Sequence, residues 1–420
     1  MPHISRSVSL LSNLKNYTAL ACLALSLTAC QPSGPGKVES DASIADGNSP
    51  SAVHDRLLTL DTHIDIPLTY MKEIQPQYDT NLQVDIPKLE KGRLDSGFWI
   101  IYTPQGDLTE AGYQAGLEIA ETRYRAIQAF TDKNNDRVAL AFKAQDVRDI
   151  VASGRHAVLM GMENAYPLGP TADKVPLWAR RGVRYMGITH FGHNQFGDSS
   201  NPNPVRDTGP RHEGLSDMGR DLIRAMNKNG IMVDVSHAGK KTMMQAAAFS
   251  KTPIIASHSG VKAVANSARN LDNEQLMKIK EVGGVAQMVA LGAYVKLPTP
   301  EQKAARDTLD AQYGDRSGWD QAKRDAYGVE RAKITAMAPE ATVSDFVDHI
   351  DHAVKVAGID SVGIASDFDG GGGVDGWQDA SETPNVTAEL IRRGYSEADM
   401  AKIWGGNLLR VMESVESAAN

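Results

Sequence analysis

From Asp55 onward the chain alternates short, nearly unbroken apolar runs with longer amphipathic segments, and this alternation constrains the fold more than any other feature. The runs are Leu57–Asp65, Ser96–Tyr102, Ala157–Glu163, Val183–His190, Ile231–His237, Pro253–Ser259, Gly284–Ala290 and Ser361–Phe368, eight in all. Strands that are apolar at consecutive positions belong to parallel sheets covered on both faces. The segments between them, Glu110–Phe130, Gly219–Asn229, Lys240–Ser250, Asp272–Glu281 and Val343–Ala357 among them, carry helical periodicity. Strand and helix repeated eight times predict an α/β fold of the (β/α)8 TIM-barrel type. A doubly wound sheet is the main rival, but the glycine-rich phosphate fingerprint expected after its first strand is absent. The Gly370–Gly373 run has neither the lysine nor the helix of a P-loop and reads as a close-approach loop. Two segments exceed ordinary connections, Phe191–Ser216 and Leu291–Thr342. Both follow strand C-termini, where a lid or a dimer surface would sit.

Polar residues close six of the eight runs, all at the C-terminal end. The first closes with His63 and Asp65, two residues apart and so expected on one face. Glu163 closes the third run, His190 the fourth, His237 the fifth, His258 the sixth and Asp367 the eighth. So many titratable groups at one barrel mouth would be strongly unfavourable without a compensating cation. Imidazoles and carboxylates without a thiolate suit zinc, and cobalt or manganese also fit. The groups outnumber the roughly four ligands of one tetrahedral zinc, so two metals bridged by a carboxylate use them better, with Glu163 as the bridge. His193 and Asp369 compete with His190 and Asp367 for their roles. His54, His156, His212, His349 and His352 lie away from strand ends and are expected on the surface.

A net charge of −8 excludes the basic face of a nucleic-acid binder. Arg6 and Lys15 precede an apolar stretch, Tyr17–Ala29, that is too short for a membrane span and reads as a secretory signal. Its ending, Leu27-Thr28-Ala29-Cys30, resembles a bacterial lipobox, with Cys30 as the lipidated residue. The only other cysteine, Cys22, lies within the signal, so processing leaves a body without disulfides. Gln31 after the cysteine points, in a Gram-negative host, to an outer-membrane anchor facing the periplasm. The expected organisation is a signal over 1–29, a lipidated cysteine and flexible tether over 30–54, and a barrel over 55–415.

Seven segments bring a specific resemblance: DTHIDIP (61–67), GMEN (161–164), RYMGITHFGHNQFGDS (184–199), GLSDMGRDLIRAMNKNGIMVDVSH (214–237), ASHSGVKAVANSARN (256–270), GIASDFDG (363–370) and IWGGNLLRV (403–411). In this order and spacing the chain resembles the membrane (renal) dipeptidase family of dinuclear zinc peptidases. The resemblance implies that His63, Asp65 and Glu163 hold one zinc, and that Glu163, His237 and His258 hold the other. It further implies that His190 contacts substrate and steadies the oxyanion, that Arg269 pairs with the substrate's free carboxylate, and that Asp367 transfers the proton. The implied reaction is hydrolysis of dipeptides, with L,D pairs as candidates, by a metal-bridging hydroxide, and a homodimer is implied as well.

Departures from the family pattern are Thr62 and Ile64 in place of the usual glycine and asparagine, and Asn164 in place of a glycine. Side chains at 62 and 64 are expected to face away from the ligands, while Asn164 is expected to narrow the site. The alternatives are a related barrel metallohydrolase acting on other amides, β-lactams or lactones, and a surface lipoprotein that binds metal or peptide without turnover.

Overall fold

A computed structural model describes residues 47, 49–314, 319 and 321–419. The signal, Cys22, Cys30 and most of the tether lie outside the described residues. Nine strands form one sheet: β1 (Leu60–Ile64), β2 (Ser96–Tyr102), β3 (Val138–Leu140), β4 (His156–Glu163), β5 (Val183–Gly187), β6 (Met232–Asp234), β7 (Ile254–Ser259), β8 (Val285–Val289) and β9 (Val362–Ala365). All neighbours pair in parallel, and β3 flanks β4 outside the main path β1-β2-β4-β5-β6-β7-β8-β9. The path closes beyond β9. Asp65 N donates to Phe368 O at 2.9 Å and Asp367 N to His63 O at 3.1 Å. The result is a (β/α)8 barrel of eight parallel strands with one short extra strand, which the sequence reading did not include.

Two apolar layers explain the long apolar runs. Leu60, Phe98, Leu159, Tyr185, Met232 and Val285 cluster inside, toward the strand N-termini, together with Leu408 and Met412 of the closing helix Asn407–Ala418. Trp99, Met160, Met186, Val233 and Met288 instead meet helical residues such as Phe130, Met226, Ile279 and Phe346. Helix starts follow local chemistry. Thr342 accepts from Asp345 N while the Asp345 carboxylate accepts from Thr342 N, which fixes the first turn of the Val343–Ala357 helix.

Several strands are shorter than their apolar runs, so His190, His237 and Asp367 stand in the loops just past β5, β6 and β9. The folded body also begins before residue 55: Pro50–His54 form a helix that buries Val53 and His54. His54 is not a surface residue. Its Nε2 donates to Gly92 O at 3.0 Å and its Nδ1 lies 2.6 Å from Thr387 Oγ1. His349 is likewise buried, accepting from Val261 N and donating to Val295 O. Among its described residues the long excursion after β8 has three helices, Gly292–Val295, Pro300–Tyr313 and Gln321–Thr335, with a small core of Leu309, Trp319 and Tyr327. Among the described residues no helix is long and apolar enough to cross a membrane.

Candidate metal centre

Register irregularities at Asp61/Ile64 in β1 and at Ala256/Ser259 in β7 bend both strands where they reach the barrel mouth. Bulges re-aim side chains at strand ends, and here they bring the His63 and His258 rings together, tilted by 37° with centroids 3.7 Å apart. The bulge also alters the expected alternation. Ile64 joins the outer core, but Thr62 turns inward and donates to Ser257 O (2.7 Å) and Ile364 O (3.0 Å).

The ligand candidates converge around Glu163. Its Oε1 lies 3.0 Å from His237 Nε2, 3.4 Å from His258 Nε2 and 3.7 Å from His190 Nε2. His63 Nε2 faces Asp65 Oδ2 at 3.6 Å, Glu163 Oε2 at 3.7 Å and Asp367 Oδ1 at 3.8 Å. Three overlapping groups could each hold a cation: His63, Glu163 and His258; Glu163, His190 and His237; His63, Asp65 and Asp367. Glu163 belongs to two of them, as a shared ligand requires.

The hydrogen bonds behind the imidazoles decide which nitrogen is bare. Tyr185 Oη donates to Thr62 O at 3.0 Å, so it accepts from His63 Nδ1–H at 2.9 Å. Ser257 Oγ donates to Asp234 Oδ2 at 2.8 Å and accepts from His258 Nδ1–H at 2.9 Å. Both rings therefore present an Nε2 lone pair to the cluster. His63 Nε2 is buried with no hydrogen-bond partner among the described residues. His258 Nε2 and His237 Nε2 stand only 2.9 Å apart. Lone pairs that close repel unless a proton or a cation lies against them, and orphaned buried acceptors carry a desolvation cost. This donor set fits a metal centre.

The charges agree. Burial depresses the His237 and His258 pKa values well below the ordinary imidazole, and nearby Arg269 adds to this. Burial would also neutralise His63, but Glu163 and Asp65 outweigh it and hold its pKa well above normal. Burial pushes Asp367 well above the usual carboxylate range, reinforced by Asp65 and Glu163. Glu163 and Asp65 thus draw a positive charge to the Nε2 face of His63, as a proton or as a metal ion.

The family model for membrane dipeptidases, peptidase family M19, matches residues 48–420. The chain belongs to the membrane dipeptidase family. Dipeptidase tcpJ of Claviceps purpurea is 32% identical over 350 residues, covering 82% of this chain and 72% of that protein. The crystal structure of the probable dipeptidase PvdM from Pseudomonas aeruginosa superimposes with a TM-score of 0.81 at 35% identity, over 88% of this chain and 98% of that one. A Rhodobacter sphaeroides metallopeptidase, solved with a phosphinate mimic of the dipeptide L-Ala-D-Ala, shares the fold with a TM-score of 0.65 at 24% identity, over 86% of this chain and 99% of that one. The chain is accordingly a peptide-bond hydrolase.

Other residues of this dipeptidase are placed as follows. Arg269 is buried; it donates to Ser259 Oγ (2.9 Å) and His258 O (2.8 Å), leaves Nε without a partner among the described residues, and lies 5.7 Å from the Tyr294 ring. His193 is drawn away from the cluster, its Nδ1 accepting from Ser199 N at 2.9 Å. Asp369 is a loop clamp, accepting from Gln83 N (2.9 Å) and Val84 N (3.3 Å), whereas Asp367 faces His63. Asn164 does not narrow the site as expected. It takes the left-handed conformation at φ 73° that glycine would favour, and its buried amide braces Thr103 O, Tyr166 N and Asn194.

Sequence reasoning missed the carboxylates that hold the bent strands. Asp61 accepts from His63 N and Ser366 N, and Asp234 accepts from Ser236 N and Ser257 N. Burial raises the Asp61 pKa to about 6. The signal was present in the sequence, as an aspartate two residues before the amide it accepts from in both DTH and DVS. Tyr185, which fixes the His63 tautomer, rests on Gly161, where any Cβ would overlap its ring.

Proposed function

We propose that this chain is a zinc-dependent dipeptidase with two ions per site. His63, Asp65 and Glu163 would hold one ion, and Glu163, His237 and His258 the other. The observation that carries this is the set of buried imidazole Nε2 atoms gathered on one shared glutamate, in a chain whose relatives are named dipeptidases. Bound divalent metal supplies Lewis acidity and a nucleophilic water at neutral pH.

The chain's own residues supply the rest. Arg269, already aligned by His258 O and Ser259 Oγ, offers its remaining guanidinium hydrogens to the free carboxylate of a short peptide. His190, kept neutral by burial, donates an N–H to the carbonyl oxygen as negative charge develops there. Asp367, whose carboxyl holds a proton readily, passes one to the departing amine nitrogen. Gly370 leaves room for this carboxylate, since a Cβ there would overlap Asp65 Oδ2 and Asp367 Oδ1.

The test pairs elemental analysis with a panel of dipeptides, tripeptides, N-acyl amino acids and lactones. Zinc near two per chain, with turnover confined to dipeptides and lost on chelation, is expected; turnover of lactones or tripeptides alone would refute the reading. Asp367→Asn is expected to keep its metal and lose about 10²–10⁴ in kcat. From the lipobox-like segment ending at Cys30 we also infer an exported, outer-membrane-anchored protein facing the periplasm, and from the family a homodimer. Labelled palmitate incorporation that persists in Cys30→Ser would overturn the anchor.

A further inference from the structure

The residue after His190 is an aromatic ring left open to solvent at the barrel mouth. Phe191 is 43% exposed, yet its ring lies 4.6 Å from the His190 ring and 5.1 Å from the His237 ring, centroid to centroid. Tyr102 packs edgewise on His190 at 4.8 Å, so two aromatic rings touch the imidazole. The loop that carries Phe191 is well fastened. Gly192 N donates to Asn201 O (2.8 Å), Ser199 Oγ donates to His190 O (2.5 Å), and Asp207 accepts from both His193 N and Asn203 N. A phenyl ring held in water by a rigid loop leaves apolar area uncovered, and covering it is favourable.

The position of the ring identifies what covers it. Phe191 stands on the His237 side of the cluster. His237 adjoins His258, whose carbonyl and neighbour Ser259 hold Arg269. Asp65 and Asp367 lie on the other side, around His63. His237 and Arg269 also line one cavity, so a dipeptide whose carboxylate meets Arg269 brings its carboxy-terminal residue toward the phenyl face.

We propose that Phe191 is a specificity-determining residue: its ring is the apolar wall for the side chain of the substrate's carboxy-terminal residue, favouring bulky apolar residues there over glycine or aspartate. This rests on the dipeptidase reading above and on Arg269 as the carboxylate anchor. Covering the open part of one phenyl ring corresponds to about a tenfold preference.

The test compares kcat/KM for Ala-Leu, Ala-Phe, Ala-Gly and Ala-Asp, and for Leu-Ala against Gly-Ala, in metal-loaded wild type, Phe191→Ala and Phe191→Leu. The expected result is a wild-type preference for Ala-Leu and Ala-Phe, with the Ala-Leu to Ala-Gly ratio falling about tenfold in Phe191→Ala. Phe191→Leu should restore much of that ratio, which a general loosening of the loop would not do. Equal losses on every substrate, unchanged ratios, or a shift confined to the Leu-Ala and Gly-Ala pair would each overturn the assignment. Absence of turnover on all dipeptides would instead overturn the dipeptidase reading, and the assignment with it.

Discussion

The metal-facing nitrogen of His258 is set by a hydroxyl on the opposite edge of its ring. Ser257 hands its proton to Asp234 and takes the Nδ1–H of His258, so the Nε2 lone pair is available before any ion arrives. Partners of this kind usually contribute 10–100-fold in metal affinity. Ser257→Ala should therefore weaken zinc binding about 10–100-fold in a chelator competition titration, with little effect on expression. Affinity equal to wild type would mean that Ser257 only fills space. At this scale the sequence was partly legible. The histidines and carboxylates stood out because they interrupt apolar strands, but only the family resemblance set Asp367 apart from Asp369. What separates them is tertiary: Asp369 clamps Gln83 and Val84, hundreds of positions away, while Asp367 faces His63.

Among the elements, the Thr383–Arg392 helix is tied to the Val343–Ala357 helix by Arg393, which donates to Asp348 and Asp351 as well as to Glu389. The Arg392 guanidinium and then Arg393 hold the Glu389 carboxyl down at about 2. A carboxylate whose folded pKa lies below its unfolded one stabilises the protein above the unfolded value and loses that contribution as pH falls toward the folded value. Glu389→Gln should thus cost about 1 kcal/mol at pH 7 in denaturant unfolding, given solvent screening. The cost should shrink from about pH 4.5 downward and vanish near pH 2; a gap that widens in acid would refute the pairing. Helices were legible where the caps and periodicity agree, as for Val343–Ala357, which matches its expected limits. Strand ends were not, because the apolar run continues through the bulges while the ladder stops. The short Pro50–His54 helix was hidden in Ser/Pro-rich composition, and its partners lie far along the chain.

For the whole molecule, the buried charge at the mouth links folding to metal. An ion that binds the folded state and not the unfolded one stabilises by RT ln(1 + [L]/Kd), about 4 kcal/mol at a thousandfold excess over Kd. Chelation should lower Tm by several degrees, and zinc added back should restore it; a Tm indifferent to chelation would contradict a metal centre. The barrel itself was legible because eight apolar runs of parallel type leave little other choice. The extra strand β3 was missed because three residues, Val138–Leu140, carry too short a pattern. His54 and His349 were misjudged because their partners, mostly backbone atoms, lie on distant segments.

Asp61 and Asp234 cap the backbone of the two bent strands, yet neither is among the atoms that converge on Glu163. Scaffold and chemistry are therefore written in different letters of the same short motifs. A designer, or a lineage under selection, can exchange His63, Asp65 or His258 for donors suited to another ion while the capping aspartates keep the strands bent. The reverse exchange costs more: altering Asp61 frees the backbone at His63 and Ser366, and altering Asp234 frees the backbone beside both His237 and His258.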